Sequence, residues 1–143
     1  MAGQEGTSTN QTIDPGIDEK LETRTIAETL GRLENCSRLL ELVRKNQLEY
    51  LLQRSGLHTL FAPNDDALGG SFPSDPEQFL NDHLVRGGFE SFDLRRVKEL
   101  KTESGRTIPV EVLDGQPRIG SANIVRADIP CTNGVIQVID HLL

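Results

Sequence analysis

Three histidines, His58, His83 and His141, are the side chains here best suited to hold a metal or move a proton near neutral pH. Acids such as Asp65 or Asp140 could complete a ligand set with them. No H-x-x-x-H or H-E-x-x-H spacing places two histidines on one helix face, and two of the three fall within apolar strand or helix patterns. The reading is therefore no metal site, with His83 a hydrogen-bonded histidine under a packed helix. The two cysteines, Cys36 and Cys131, form no C-x-x-C and lie far apart, so both thiols are expected free and Cys36 buried beside an apolar helical pattern. Neither has a neighbour in sequence that would lower its pKa, and no G-x-S-x-G is present. Asp65-Asp66 follows Pro63 in a turn, where capping accounts for paired carboxylates more simply than acid–base chemistry. No glycine run makes a phosphate loop. The chain is read as a non-enzyme without a cofactor.

Two features could bind rather than react. Arg95, Arg96, Lys98, Lys101 and Arg106 form one basic cluster that could meet an acidic polysaccharide or an anionic surface, although Glu90, Asp93, Glu99 and Glu103 lie among them. The formal net charge of −7 disfavours nucleic acid as a partner. Asp128-Ile129-Pro130 sets an acid beside an apolar residue where a strand gives way to a turn. Loops on a rigid scaffold commonly carry such ligand-binding acids. On the residues alone, Ile129 as core and Asp128 as a solvated strand end is the favoured alternative.

The elements that must position these groups follow an order of helices, then strands. With 143 residues the chain suits one domain, and with no Trp and one Tyr its core must rest on Leu, Ile and Val. Residues 1–22 are polar and Gly/Ser/Thr-rich and read as a flexible tail; the ordered domain is expected over 23–143. No apolar run follows Met1, so no signal peptide is read in the chain as given, and no stretch is long enough to span a membrane. Asn10-Gln11-Thr12 and Asn35-Cys36-Ser37 match the glycosylation sequon, a weak signal without export. Thr25 and Glu28 have capping-box spacing ahead of a stripe at Ile26, Ala27, Leu30 and Leu33. A second helix starts near Ser37. A third, Leu48 to Gln53, is expected to stop at a Gly56 cap. A strand from His58 to Ala62 ends at Pro63. Asp75-Pro76 starts a helix carrying Phe79, Leu80, His83 and Leu84 inward until Gly87-Gly88, and a short turn of helix spans Phe92 to Val97. Strands are expected over Lys98–Lys101, Thr107–Leu113, Gln116–Ile119, Asn123–Asp128 and Val135–Leu142, broken by Ser104-Gly105, Asp114-Gly115 and Asn133-Gly134. The order argues for an α+β fold.

Two dense segments resemble the signatures of the fasciclin domain: Thr59-Leu60-Phe61-Ala62-Pro63-Asn64-Asp65, and Asn133-Gly134-Val135-Ile136-Gln137-Val138-Ile139-Asp140. The resemblance runs from about Thr23 to Leu143. It implies a two-sheet β-wedge or sandwich with N-terminal helices clustered on one side, and Phe61, Pro63, Asn64, Asp65, Asn133, Gly134 and Asp140 as structural motif residues. It also implies a non-catalytic adhesion module in an extracellular, cell-surface or periplasmic setting, with a cell-surface protein or carbohydrate as partner. In adhesion members an Asp-Ile pair before N-G-V and a Tyr-His pair with aliphatic neighbours are implicated in binding. Asp128 and Ile129 match the first; Asp82 and His83, with Leu80, Leu84 and Val85, match the second, and the Tyr is absent. The partner-binding expectation is thus Asp128, Ile129, His83 and Leu84. The lone domain is similar to small bacterial single-domain members and is expected to be monomeric. The alternative is a structural surface protein that binds polysaccharide through the Arg95–Lys101 face.

Overall fold

The capping box expected at Thr25 opens the first helix, α1 (Ile26–Leu30): Thr25 Oγ1 accepts from Glu28 N and Glu28 Oε1 accepts from Thr25 N. The computed structural model describes residues 24–70 and 72–143. The tail expected over 1–22, with Thr23 and the Asn10-Gln11-Thr12 sequon, lies outside the described residues. Helix α2 (Ser37–Lys45) buries Leu39, Leu42 and Val43 and places Arg44 and Lys45 at its negative dipole end. The third helix is a 3-10 helix over Glu49–Gln53. It ends in extended backbone at Arg54, so Gly56 (φ 84°) shapes the next turn instead of capping. Helices α3 (Asp65–Leu68), α4 (Pro76–Asp82) and α5 (Ser91–Leu94) interleave with the strands.

Seven strands follow: β1 (His58–Pro63), β2 (Leu84–Arg86), β3 (Glu99–Lys101), β4 (Thr107–Leu113), β5 (Gln116–Ile119), β6 (Ala122–Cys131) and β7 (Gly134–Ile139). They run in the order β2-β1-β7-β6-β5-β4-β3, all neighbours antiparallel except β1 with β7. Two register shifts bend β6, and a bridge between Val85 and Thr102 joins the two ends of the order. The α+β fold is thus as expected, and the two-sheet wedge takes the form of one mixed sheet curled almost into a barrel. Alternation divides its core. Leu60, Ala62, Ile136 and Val138 face the helical layer of Ile26, Leu30, Leu39, Leu42, Leu51 and Leu52. Phe61 and Ile139 face inward onto Leu100, Ile108, Val110 and Ile119. Every residue of β1 and β7 is buried, as a parallel pair covered on both faces requires.

The helix expected to reach Leu84 ends at Asp82, with His83 as its cap, and Leu84–Arg86 instead pairs with β1 through Leu60↔Leu84, Thr59↔Val85 and His58↔Arg86. Leu80, His83 and Leu84 fit a helical stripe equally well, so local periodicity could not reveal that the exposed flank of β1 needed a partner. Strand β6 runs on to Cys131 rather than stopping at Asp128, because the bulge there interrupts the alternation without ending the ladder. Strand β7 stops at Ile139, short of the expected Leu142.

Candidate functional site

The polar residues of the two signature segments are engaged within the fold. Asp65 reaches back to α2, accepting from Arg38 N at 2.7 Å (Oδ1) and from Ser37 Oγ at 2.9 Å (Oδ2). Cys36, the residue before α2, offers no capping bond of its own, so this distant carboxylate caps the helix in its place. Asn64 caps α3 through Ala67 N at 2.9 Å. Asn133 joins three elements: Oδ1 accepts from Ile26 N, Nδ2 donates to Leu52 O, both at 2.8 Å, and its carbonyl accepts from His58 N at 2.9 Å. Asp140 accepts from Asn123 N at 2.8 Å and from His141 Nδ1 at 2.8 Å. Burial alone would raise its pKa, but these hydrogen bonds outweigh it and hold the carboxyl below its usual value.

Asp128 sits at the second bulge of β6 with left-handed backbone (φ 61°), exposed to solvent. Its Oδ1 accepts from Ser91 N at 2.7 Å, at the start of α5, and from Gln137 Nε2 at 2.8 Å. Gln137, fully buried in mid-β7, completes the link by accepting from Asp128 N (2.9 Å) and donating to Phe89 O (3.0 Å). Sequence reasoning misses Gln137, although a glutamine inside Val-Ile-Gln-Val-Ile signals a buried polar anchor. Asp128 Oδ2 has no partner among the described residues. Beside the bulge, a groove of about 560 Å³ is lined by Leu57, Glu90, Asp93, Pro130, Thr132 and Val135 among others. Leu57 and Phe92 are more than half exposed.

The other residues of the partner-binding expectation fall at buried positions. Ile129 (8% exposed) packs in the helical core, and His83 and Leu84 are 1% and 0% exposed, so the fold does not present these three side chains at its surface. Alternation at the bulge turns Ile129 inward, and β2 pairing draws Leu84 under α4. Among the described residues, no three His, Cys, Asp or Glu side chains are grouped to hold a metal. The histidines are engaged separately: His58 Nε2 with Glu103 at 2.9 Å, His141 with Asp140, and His83 between Phe79 O and Leu143 N. Cys36 and Cys131 are free thiols. Burial, aided by Asp65, pushes Cys36 up to about 11, and burial also raises Cys131. In the basic cluster Arg106 turns to Asp82 (3.6 Å) and Arg96 lies over Phe92; Arg95, Lys98 and Lys101 are exposed.

His83 gives a pH signature. Nδ1 donates to Phe79 O (2.8 Å) and Nε2 accepts from Leu143 N (3.1 Å), so both ring nitrogens are satisfied only in the neutral form. Burial pulls its pKa down to about 4, against weaker opposition from the Phe79 bond and Asp82. The unfolded chain therefore binds the extra proton between about pH 6.5 and 4. Stability is full above that window and falls through it by on the order of 3 kcal/mol. Urea unfolding at pH 7 and pH 4.5 should show His83→Gln losing much of the wild-type pH slope; an unchanged slope would reject His83 as its source.

Comparison with known proteins agrees with this geometry. The family model of the fasciclin domain matches residues 34–143. Protein sll1483 of Synechocystis is 26% identical over the whole chain and 84% of its own length. The uncharacterized protein sll1735 of Synechocystis is 30% identical over 77% of this chain and 90% of its own. Human periostin is 30% identical over 84% of this chain, which spans only 16% of periostin. The fold superposes on a FAS1 domain pair from the insect cell adhesion molecule fasciclin I with a TM-score of 0.73 at 22% identity, covering this whole chain and 57% of the pair. Both signature segments lie within the matched residues and there make the bonds that join β1, β7 and the helices. The chain belongs to the fasciclin domain family.

Proposed function

We propose that this domain is a non-catalytic adhesion module that binds a cell-surface protein or carbohydrate in an extracellular, cell-surface or periplasmic setting. The observation that carries the reading is the Asp128 bulge: an exposed acid with one oxygen fixed by Ser91 and Gln137 and the other uncommitted, next to a groove lined by exposed Leu57, with exposed Phe92 following Ser91 in α5. A rigidly held acid beside solvated apolar side chains suits recognition of a basic or polar partner group. The likeness in fold to fasciclin I, an insect cell adhesion molecule, supports the same class of role. Catalysis lacks support because each titratable group in the signature segments is committed to a structural bond.

Asp128→Ala would be a poor test, since it also frees Ser91 N and Gln137. Asp128→Asn can keep both inner bonds while removing the charge on the uncommitted oxygen. Adhesion of candidate partner cells to surfaces coated with the domain should fall with Asp128→Asn and with Phe92→Ala, at unchanged unfolding midpoints. Adhesion indifferent to both substitutions would overturn the bulge as the binding surface. Loss confined to Arg95→Gln and Lys101→Gln would move the interaction to the basic face.

A further inference from the structure

On the helical side, Arg24, Arg32 and Arg44 line one cleft of about 570 Å³ with Glu28 and Gly31, none of which lines the groove beside the Asp128 bulge. Three separately fixed elements deliver the cations. Arg24 precedes the α1 cap and is anchored by Thr132 N donating to its carbonyl at 2.8 Å; Arg32 follows α1, its N–H bonded to Thr29 O at 2.9 Å; Arg44 stands in the last turn of α2. The Arg44 guanidinium lies beside Gly31, where a Cβ would stand in ordinary contact with Nη2 at 3.4 Å. Glu28 is the one acid in the cleft, and its Oε1 is held by the capping box. Among the described residues none of the three arginines is ion-paired, whereas Arg54, Arg86 and Arg106 all are.

Guanidinium groups match oxyanions through paired N–H donors, and several converging on one concavity concentrate that field. We propose that this cleft is an oxyanion site that seats a sulfate- or carboxylate-bearing sugar unit of an acidic polysaccharide. Its volume is that of a small-ligand site, with room for one sugar unit and its anionic group. The inference rests on the reading of the domain as an adhesion module and gives it a carbohydrate ligand at a second place.

The test is calorimetric titration of the full chain with a sulfated disaccharide, an unsulfated uronate disaccharide and a neutral disaccharide, at low and at physiological salt. One or both anionic sugars should bind, more weakly at higher salt, and the pair identifies which oxyanion is preferred. Arg32→Gln with Arg44→Gln, both exposed, should cost about tenfold or more in affinity, while Arg95→Gln with Lys101→Gln changes it less than about twofold. No binding, equal binding of the neutral sugar, or equal losses in the two double variants would overturn the site. Cell adhesion by Asp128→Asn is read separately, so loss of this site and loss of the adhesion reading give different results.

Discussion

Gly134→Ala is expected to abolish cooperative folding of the domain. Gly134 opens β7 with φ 149° and lies opposite His58 in the parallel ladder to β1. A Cβ there would stand 1.7 Å from His58 O, 2.7 Å from His58 C and 2.9 Å from His58 N. All three are backbone atoms, so no side-chain rotation relieves the clash, and β1 and β7 would have to separate. That separation also endangers the His58 N to Asn133 O bond and every contact between β7 and the helices. Overpacking of an adjustable core costs about 1–3 kcal/mol. Here we expect more than about 4 kcal/mol, a large part of the roughly 5–15 kcal/mol typical of a domain. Gly105→Ala separates the two components, because Gly105 also has positive φ (97°) but nothing within 4 Å of its added Cβ. It should cost only about 1–2 kcal/mol of backbone strain. Denaturant unfolding of the two variants side by side would decide; equal losses would show that dihedral strain, not the approach of His58, governs Gly134.

This contact explains what was and was not legible in the chain. Asn133-Gly134 reads from sequence as a hairpin turn, and a turn does form between β6 and β7. The sequence signal concerns local backbone freedom, whereas the glycine is required by β1, a strand from the opposite half of the chain. Helices with their own caps, at Thr25 and Asp75, were readable because cap and helix are neighbours. The cap of α2 comes from Asp65, 28 residues away from Ser37, and no local pattern announces it. Strand β2 was hidden for the same reason: its three residues fit a helix until β1 is beside them. The site divides along this line. The family resemblance led to Asp128, which is exposed, but burial of Ile129, His83 and Leu84 depends on bulge and pairing geometry beyond the reach of spacing. The Arg24–Arg32–Arg44 cleft escaped the sequence reading because its three cations are scattered singly through the helical segment, while the Arg95–Lys101 run drew attention by adjacency alone.

The second large effect is expected at Asn133, and its sign depends on which polar atom is lost. Oδ1 satisfies Ile26 N, one of the first N–H groups of α1, which has no partner within the helix. Nδ2 satisfies Leu52 O near the end of the 3-10 helix. Asn133→Ala leaves both groups without a partner in a part-buried junction, at about 1–3 kcal/mol for each unsatisfied group, so roughly 2–6 kcal/mol in total. Asn133→Asp keeps the acceptor for Ile26 N and gains from the positive end of α1, but sets a carboxylate oxygen against Leu52 O. Above the pKa of the introduced carboxyl the repulsion is present; below it, the protonated carboxyl can donate to Leu52 O again. Asn133→Asp should therefore be less destabilised at low pH than at pH 7 relative to the wild type at each pH, while Asn133→Ala shows no such recovery. Unfolding curves of both variants at pH 4 and pH 7 test this directly. An Asn133→Asp variant as stable as the wild type at both pH values would mean that the Leu52 bond contributes little and that the helix cap alone gives Asn133 its weight. The comparison thereby separates the two bonds through which one turn residue holds the helical layer against the sheet.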